Sequence, residues 1–356
     1  MGLDIGGANT KAALLNLKDE KRKESFSFIE YFPFWEKTIK EIPEMLTRII
    51  KHLLDNNDYK LEDVEYFAVT ITAELSDAFQ TKREGIRTIL NALKTVFQKD
   101  KLKFITNNCE FINYNKAKSD CSSIAAANWA STALYLGRYI PQCILIDAGS
   151  TTIDIIPILN SIPIPQGKDD VSRLINHELI YTGGLRATIP SITHHVPYKK
   201  RKVRVSFEKF ALISDVHRIL NNISEDEYLN DTADNRSKSL ENCYARLARI
   251  ILMDKETIST EDLDIIANFI YQKQLDLIKR EIKAFMNSLT SNYKQFMQNP
   301  KFVITGLSAN FLIRKTLQDL GFKDIYSYET ITSIPNNISS SAFAVAGALN
   351  NQILNH

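Results

Sequence analysis

Leu3 to Lys11 reads LDIGGANTK: an apolar strand delivers Asp4 and runs through Gly6-Gly7 into Asn9-Thr10-Lys11. Two adjacent glycines let a backbone turn tightly and approach an anion with no Cβ in the way. Successive N–H groups in such a turn form a concave nest for phosphate oxygens. A carboxylate just before the nest can hold a divalent cation against those oxygens. A single Gly-rich turn discriminates little, but this chain repeats the device. Leu145 to Asp154, LIDAGSTTID, is again an apolar strand, an aspartate (Asp147), a glycine (Gly149), a hydroxyl-rich turn (Ser150, Thr151, Thr152) and a second apolar strand. The duplication predicts two related α/β halves, each bringing one phosphate loop to a common cleft.

The pair resembles the two phosphate loops of the actin-like superfamily of sugar kinases, Hsp70-type ATPases and actin. FVITGLSAN, Phe302 to Asn310, resembles that superfamily's third nucleotide-site loop. SSIAAANWAS, Ser122 to Ser131, and SSSAFAVAGALN, Ser339 to Asn350, resemble its two small-residue connecting helices. Over GLDIGGANTKAA, TAELSDAFQTKREG, SIAAANWAS, ILIDAGSTTIDIIPI, ELIYTGGLR and TADNRSKS the chain is similar to the hydantoinase/oxoprolinase-like family. The similarity lies in a branch tied to tetrahydromethanopterin-linked one-carbon metabolism, which includes the condensing enzyme of methanofuran biosynthesis. The resemblance implies an α/β fold of duplicated ribonuclease H-like (actin-like ATPase) domains with a cleft between them. The expected domains are residues 1–137 and 138–356, the second carrying a specificity insertion at about 161–259. In the TADNRSKS segment, the family pattern favours glycine where this chain has Asn235.

Composition narrows the classes. A chain of 356 residues is long enough for two domains, and 44% hydrophobic with 24% charged residues is the balance of a water-soluble globular protein. The net charge of +2 supplies no drive towards nucleic acid or a membrane surface. No apolar run reaches the roughly 18 residues of a membrane span, and, with the first strand beginning within a few residues of Met1, no signal peptide is expected. Cys109, Cys121, Cys143 and Cys243 make no C-x-x-C pair and no His/Cys ligand spacing, so free thiols in a reducing cytoplasm are expected. Of the twelve glycines, Gly6, Gly7, Gly149, Gly183, Gly184, Gly306 and Gly347 are among those that fall in the segments singled out here, which suggests turns that need special backbone geometry.

In order, residues 1–32 read as three strands, with the charged run Lys18 to Glu24 as a solvated turn. A helix is expected from Phe34 to Leu54, kinked or started by Pro43. The buried run Tyr66 to Thr72 is a parallel-type strand that delivers Glu74 at its C-terminal end, where open α/β sheets bind ligands. A helix from Lys82 to Gln98 and a strand at Lys103 to Thr106 follow. Ser122 to Leu136 reads as one small-residue helix. Cys143 to Asp147 and Thr152 to Leu159 are strands, and so, within the insertion, are Glu178 to Thr182 and Val203 to Phe207. Asn221 to Ser239 reads as loop, and Glu261 to Met297 as a long helix, whole or in two pieces. Strand Lys301 to Thr305, helix Ser308 to Leu320, strand Asp324 to Tyr328 and the final small-residue helix close the chain.

The candidate residues follow from their chemistry. Asp4 and Asp147 are carboxylates suited to Mg²⁺, directly or through water; the plainer reading is an Asx-turn cap. Glu74 is placed to act as a carboxylate base, with Asp77 as a neighbouring alternative; a capping or ion-paired surface role is the plainer one. Lys82 and Arg83 can meet an anion or simply face water. Gly6, Gly7, Asn9, Thr10, Lys11, Gly149, Ser150, Thr151 and Thr152 offer backbone, hydroxyl and ammonium groups to phosphate oxygens. Gly183-Gly184 is a second glycine pair, and Arg186 just beyond it suits bidentate binding of a substrate's anionic end. His194-His195 and Lys199 to Lys202 form a basic cluster, either an attractor of anions or a solvated loop. No Walker A, G-x-S-x-G or H-E-x-x-H motif is present.

The family resemblance implies a transferase in which the phenol of γ-glutamyltyramine displaces diphosphate from an aminomethylfuran-methyl diphosphate and forms an ether. On this reading the loops hold the diphosphate, Mg²⁺ is the cofactor and ATP is not required. The alternative is an ATP-dependent small-molecule kinase or oxoprolinase-type amidohydrolase, in which FVITGLSAN carries the adenosine and Gly306 admits its ribose or base. A non-catalytic actin-like scaffold is a third class. The expected partners are small molecules, with neither nucleic acid nor membrane; a homodimer is compatible with the resemblance.

Overall fold

The computed structural model describes residues 1–18, 21–335 and 340–354. The first sheet is built from β1 (Gly2–Gly6), β2 (Asn9–Lys18), β3 (Lys21–Tyr31), β4 (Phe67–Thr72), β5 (Leu102–Ile105) and β6 (Phe111–Asn113), in the order β3-β2-β1-β4-β5-β6. β1 pairs antiparallel with β2 and parallel with β4, and β4 pairs parallel with β5. The three N-terminal strands form the expected meander, but Lys18 and Lys21 to Glu24 of the expected turn belong to β2 and β3, whose ladder runs to the Lys18–Lys21 pair; residues 19–20 lie outside the described residues.

Helix α1 (Glu41–Asp55) starts later than its apolar spacing suggested. Pro43 falls in the first turn, where its missing N–H is no loss, so it marks the start and causes no kink. The Glu41 carboxylate accepts from the Thr38 amide (2.8 Å) and hydroxyl (2.9 Å). Ile42, Met45, Leu46, Ile49, Ile50, Leu53 and Leu54 form the buried stripe of α1, while Ile39 stands outside the helix, exposed. α2 (Lys82–Val96) is capped by Thr81, whose hydroxyl accepts the Glu84 N–H at 3.1 Å.

After α3 (Tyr114–Ser119), the expected helix from Ser122 to Leu136 is broken. A 3₁₀ turn (Cys121–Ile124) gives way to Ala125, which bridges Ile71 in parallel, and to Ala126 at φ +49°. The Ala126 amide donates to Ile71 O (3.1 Å), so the end of β4 captures this backbone before α4 (Asn128–Gly137) begins.

The second sheet uses β7 (Cys143–Ala148), β8 (Ile153–Leu159), β9 (Ile162–Pro163), β10 (Leu179–Ile180), β13 (Phe302–Thr305) and β14 (Ile325–Ser327), in the order β10-β8-β7-β13-β14, with β9 beside β8. β7 thus takes the place of β1, β8 of β2, β13 of β4 and β14 of β5. The chain is α/β, and its two sheets repeat one ribonuclease H-like strand order. Helices α5 (Asp170–Ile175), α6 (Ile189–Ile192), α7 (Ile213–Ile219), α8 (Leu240–Arg249) and the unbroken 33-residue α9 (Thr260–Asn292) fill the later part of the chain.

Four expectations are corrected here. Glu178 to Thr182 yields only the two-residue β10. Strand Val203 to Phe207 is displaced to β12 (Arg201–Arg204), which pairs with β11 (His195–Tyr198) around a turn of Lys199 and Lys200 at φ +46° and +62°. The basic cluster is therefore the tip and exposed edge of a hairpin rather than a loop. Helix Ser308–Leu320 opens as a π-helix (Ala309–Arg314) and continues as α10 (Lys315–Asp319). It is followed by α11 (Tyr328–Thr332) and α12 (Ser340–Leu354); Ser339, in the expected final helix, lies outside the described residues.

The chain divides into two compact units: residues 1–144, 156–173 and 327–356, and residues 145–155 and 174–326. In the first, α12 packs on β1, β2 and α4. Its approach requires small residues: a Cβ on Gly2 would stand 1.9 Å from Ala342 O.

Candidate functional site

In the first unit, strand register places Asp4 opposite Lys11 on one side and Thr70 on the other, all on one face of the sheet. Asp4 is 4% exposed. Its Oδ2 accepts from Ser341 Oγ of α12 (2.5 Å) and from Lys11 Nζ (3.3 Å), while Oδ1 is buried with no hydrogen-bond partner among the described residues. A buried carboxylate oxygen left without a donor costs free energy; a cation or a water would satisfy it, so the surroundings of Asp4 fit Mg²⁺. Lys11 is turned back onto Asp4 and Ser341 (3.5 Å). Thr10 pairs in register with Ile5 on the opposite face and is fully buried, so the fold does not bring it to Asp4. The Gly6-Gly7 turn does not use left-handed backbone; among the described glycines only Gly306 and Gly321 have positive φ.

Glu74 lies just past β4, 2% exposed, with Oε2 buried and without a hydrogen-bond partner among the described residues. Burial pushes its carboxyl up to about 7, a rise moderated by its own backbone amide, Lys82 and the Ala126 amide, and reinforced by Asp170. The cover is local and tight. A Cβ on Gly85 would stand 2.8 Å from Glu74 Cα, so only glycine lets α2 come this close. Lys82 Nζ, in the first turn of α2, is held by Asp170 Oδ2 at 2.6 Å. Asp77 is exposed and shares none of this environment.

In the second unit three segments meet around the second loop. The Gly149 amide closes the loop on Thr152 O (2.9 Å). The amides of Gly183, Gly184 and Leu185 donate to Thr151 O, Gly149 O and Ser150 O at 2.8–3.0 Å, and the Arg186 amide reaches Ser150 O at 3.1 Å. A Cβ on Gly183 would meet the Ser150–Thr151 peptide at 2.6 Å. From the third segment, Ser308 Oγ donates to Ala148 O and Gly149 O (3.0 and 3.1 Å). Gly306, at φ +93°, would put a Cβ 2.4 Å from Ala148 O and 2.7 Å from Asp147 Oδ1. Its glycine is thus required by close packing on Asp147. Arg186 is exposed, and Asp147, Gly149, Ser150, Thr151 and Thr152 are partly exposed.

This loop stack is braced from behind. Gln274 of α9, fully buried, donates from Nε2 to Thr182 Oγ1 (3.1 Å) and Gly183 O (3.0 Å). Its Oε1 accepts from His217 Nε2 (3.0 Å), and His217 Nδ1 accepts from Asn222 Nδ2 (3.1 Å). Burial lowers the imidazole to about 3, so His217 is neutral and the chain of donors runs one way. The TADNRSKS segment also has a structural role. Asp234 accepts from Arg246 (3.1 Å) and Arg249 (3.0 Å), and Arg246 in turn donates to the fully buried Asp215 at 2.8 Å. Asn235 sits at φ +58°, the left-handed region that glycine enters freely and asparagine tolerates.

Ser341, Ser308, Gln274, His217 and Asp170 are absent from the residues named from sequence. Ser341 and Ser308 lie inside quoted motifs, as small residues without a distinguishing pattern; Gln274 and His217 occupy apolar-looking helices and carry no local signal. Among the described residues no group of three or more His, Cys, Asp or Glu forms a metal cluster, and no helix is long and apolar enough to cross a membrane.

The hydantoinase/oxoprolinase family model matches residues 65–352. A protein of Methanocaldococcus jannaschii, the (4-{4-[2-(gamma-L-glutamylamino)ethyl]phenoxymethyl}furan-2-yl)methanamine synthase, is 32% identical over 99% of this chain and 98% of its own length. The protein of the same name from Methanococcus vannielii is 34% identical over 48% of this chain and 73% of its own. Among solved structures, component A of the (R)-2-hydroxyglutaryl-CoA dehydratase of Acidaminococcus fermentans aligns over 97% of this chain and 95% of its own, at 13% identity and a TM-score of 0.40. The chain belongs to the hydantoinase/oxoprolinase family.

Proposed function

We propose that this chain catalyses the condensation that yields (4-{4-[2-(γ-L-glutamylamino)ethyl]phenoxymethyl}furan-2-yl)methanamine. The observation that carries the reading is the similarity to the Methanocaldococcus jannaschii synthase along both whole chains. The phenol oxygen of γ-glutamyltyramine attacks the furan-bound CH₂ of an aminomethylfuran-methyl diphosphate. A C–O ether bond forms, the C–O bond to diphosphate breaks, and the phenolic proton passes to a base.

Glu74 is that base. A carboxyl raised to about 7 is a far better proton acceptor for a phenol of pKa about 10 than an ordinary surface carboxylate. Its burial also keeps water from competing for the furfuryl carbon. The amides and hydroxyls of Ser150, Thr151 and Thr152, with Arg186, hold diphosphate oxygens. Mg²⁺, when bound, neutralises leaving-group charge; Asp4 and Asp147 are the carboxylates offered to it in their respective units. We place the boundary of the duplicated domains at 137/138.

The test is ³¹P NMR of the purified protein with Mg²⁺, the furfuryl diphosphate and γ-glutamyltyramine, without ATP. Diphosphate release that depends on the phenol, lost in Glu74→Gln, is expected. ADP formation from ATP that depends on an acceptor, with no diphosphate release in its absence, would move the activity to the kinase or amidohydrolase class.

A further inference from the structure

Beside Glu74 the first unit carries a cavity of about 310 Å³ that none of the roles above uses. Lys82 and Arg83 of α2, Asn107, Asp120 at the end of α3, and Asp169-Asp170 at the start of α5 line it. Ala125 forms part of its wall, and the next amide, that of Ala126, is one of the groups that tune Glu74. The cavity and the base therefore share one stretch of backbone.

Its charges are mixed, and they sort. Lys82 and Asp170 neutralise each other at 2.6 Å. Among the described residues, the Arg83 side chain has no ion-pair or hydrogen-bond partner, and the Asn107 side chain has none either. Two carboxylates remain on the other side of the balance. Asp120 accepts from Ser122 Oγ (2.8 Å) and Asp169 from the Ser172 amide (2.9 Å). These bonds hold both carboxyls below their ordinary range, so both are anionic at neutral pH. With Lys82 and Asp170 paired, a phosphate would be repelled by Asp120 and Asp169, and a simple cation would leave Arg83 uncompensated. A ligand that carries one ammonium and one carboxylate on the same carbon satisfies both sets.

We infer that this cavity binds the free α-amino-acid head of the acceptor, its carboxylate on Arg83 and Asn107 and its ammonium on Asp120 and Asp169. The inference rests on the proposed function and extends it. A γ-linked glutamyl group is attached through its side-chain carboxyl, which leaves the α-ammonium and α-carboxylate together and free. An α-linked glutamyl group separates them. The cavity would thus read the γ linkage at one end of the acceptor while Glu74 acts on the phenol at the other.

The experiment compares kcat/KM for γ-glutamyltyramine, its N-acetylated form and tyramine in the full-length protein, with phenol-dependent diphosphate release as readout. Wild-type enzyme is expected to prefer γ-glutamyltyramine. The ratio of its kcat/KM to that of tyramine should fall roughly tenfold or more in Arg83→Met and in Asp120→Asn, the scale of one lost charge-assisted hydrogen bond. Only Asp120→Asn should narrow the gap to the N-acetylated acceptor, because only that variant removes a partner of the ammonium. Circular dichroism and melting temperature report that both variants are folded. Equal use of the three acceptors by wild type, or an unchanged ratio in both variants, overturns the inference and leaves the proposed function standing. Absence of diphosphate release with every acceptor removes the function and the inference together.

Discussion

At the scale of single residues, Glu74 shows how a reactive group is made by what covers it. Burial raises its pKa from 4.5 to about 7. The folded state therefore binds a proton that the unfolded state has released, and stability falls as pH rises between these values. Glu74→Gln should abolish turnover yet stabilise the fold above pH 7, by up to about 3 kcal/mol at ~1.4 kcal/mol per pKa unit, with the gain vanishing below pH 4.5. Urea denaturation of both proteins across that range checks it. In the wild type, kcat/KM should rise with pH to a plateau, with a midpoint near 7. Asn235 makes a second case. At φ +58° it stands where a β-branched residue is strained. Asn235→Val should cost about 1–2 kcal/mol, whereas Asn235→Gly should be nearly neutral, as chemical denaturation midpoints would show.

At the scale of elements, the second phosphate loop is held by segments distant in sequence. Gly306→Ala forces a Cβ against Ala148 O and asks alanine for φ +93°. The variant should lose more than about 1 kcal/mol and shift the Asp147 loop, seen as weaker binding of inorganic diphosphate by titration calorimetry. The brace from α9 acts on the same loop from the other side. Gln274→Leu leaves the buried His217 N–H and Gly183 O without partners, at a cost of about 1–3 kcal/mol each. The expected result is a lower melting temperature together with a higher KM for the diphosphate substrate. Intact diphosphate affinity in a destabilised Gln274→Leu would show that the brace serves stability alone.

At the scale of the whole molecule, two buried groups pull stability in opposite directions with pH. Glu74 favours the fold as pH falls from about 7 to 4.5. His217, neutral in the folded state with its pKa lowered from 6.5 to about 3, withdraws stability as pH falls through that interval. The two offset each other between pH 6.5 and 4.5. Below 4.5 Glu74 no longer offsets His217, and the carboxylates held below their ordinary range, among them Asp120, Asp169 and Asp234, lose stability alongside it, so denaturation midpoints measured against pH should fall steeply there.

Much of this architecture was legible in the chain itself because it is written locally. The strand–Asp–Gly–strand repeat, the parallel-type run that delivers Glu74 and the apolar stripe of α1 are properties of neighbouring residues and of period. The repeat of one strand order in two sheets follows from them. Tertiary contact decided what periodicity cannot encode. The run of small residues from Ser122 is not one helix, because the end of β4 takes the Ala126 amide. Lys11 faces Asp4 rather than water, because register and Ser341 of α12 place it there. Glu74 acquires a raised pKa because α2 closes over its carboxyl, while Asp77, three residues on, is left exposed. Sequence proximity determines hydrogen bonds and turns within a few residues; desolvation and long-range donors depend on which distant surfaces meet, and only the folded chain brings them together.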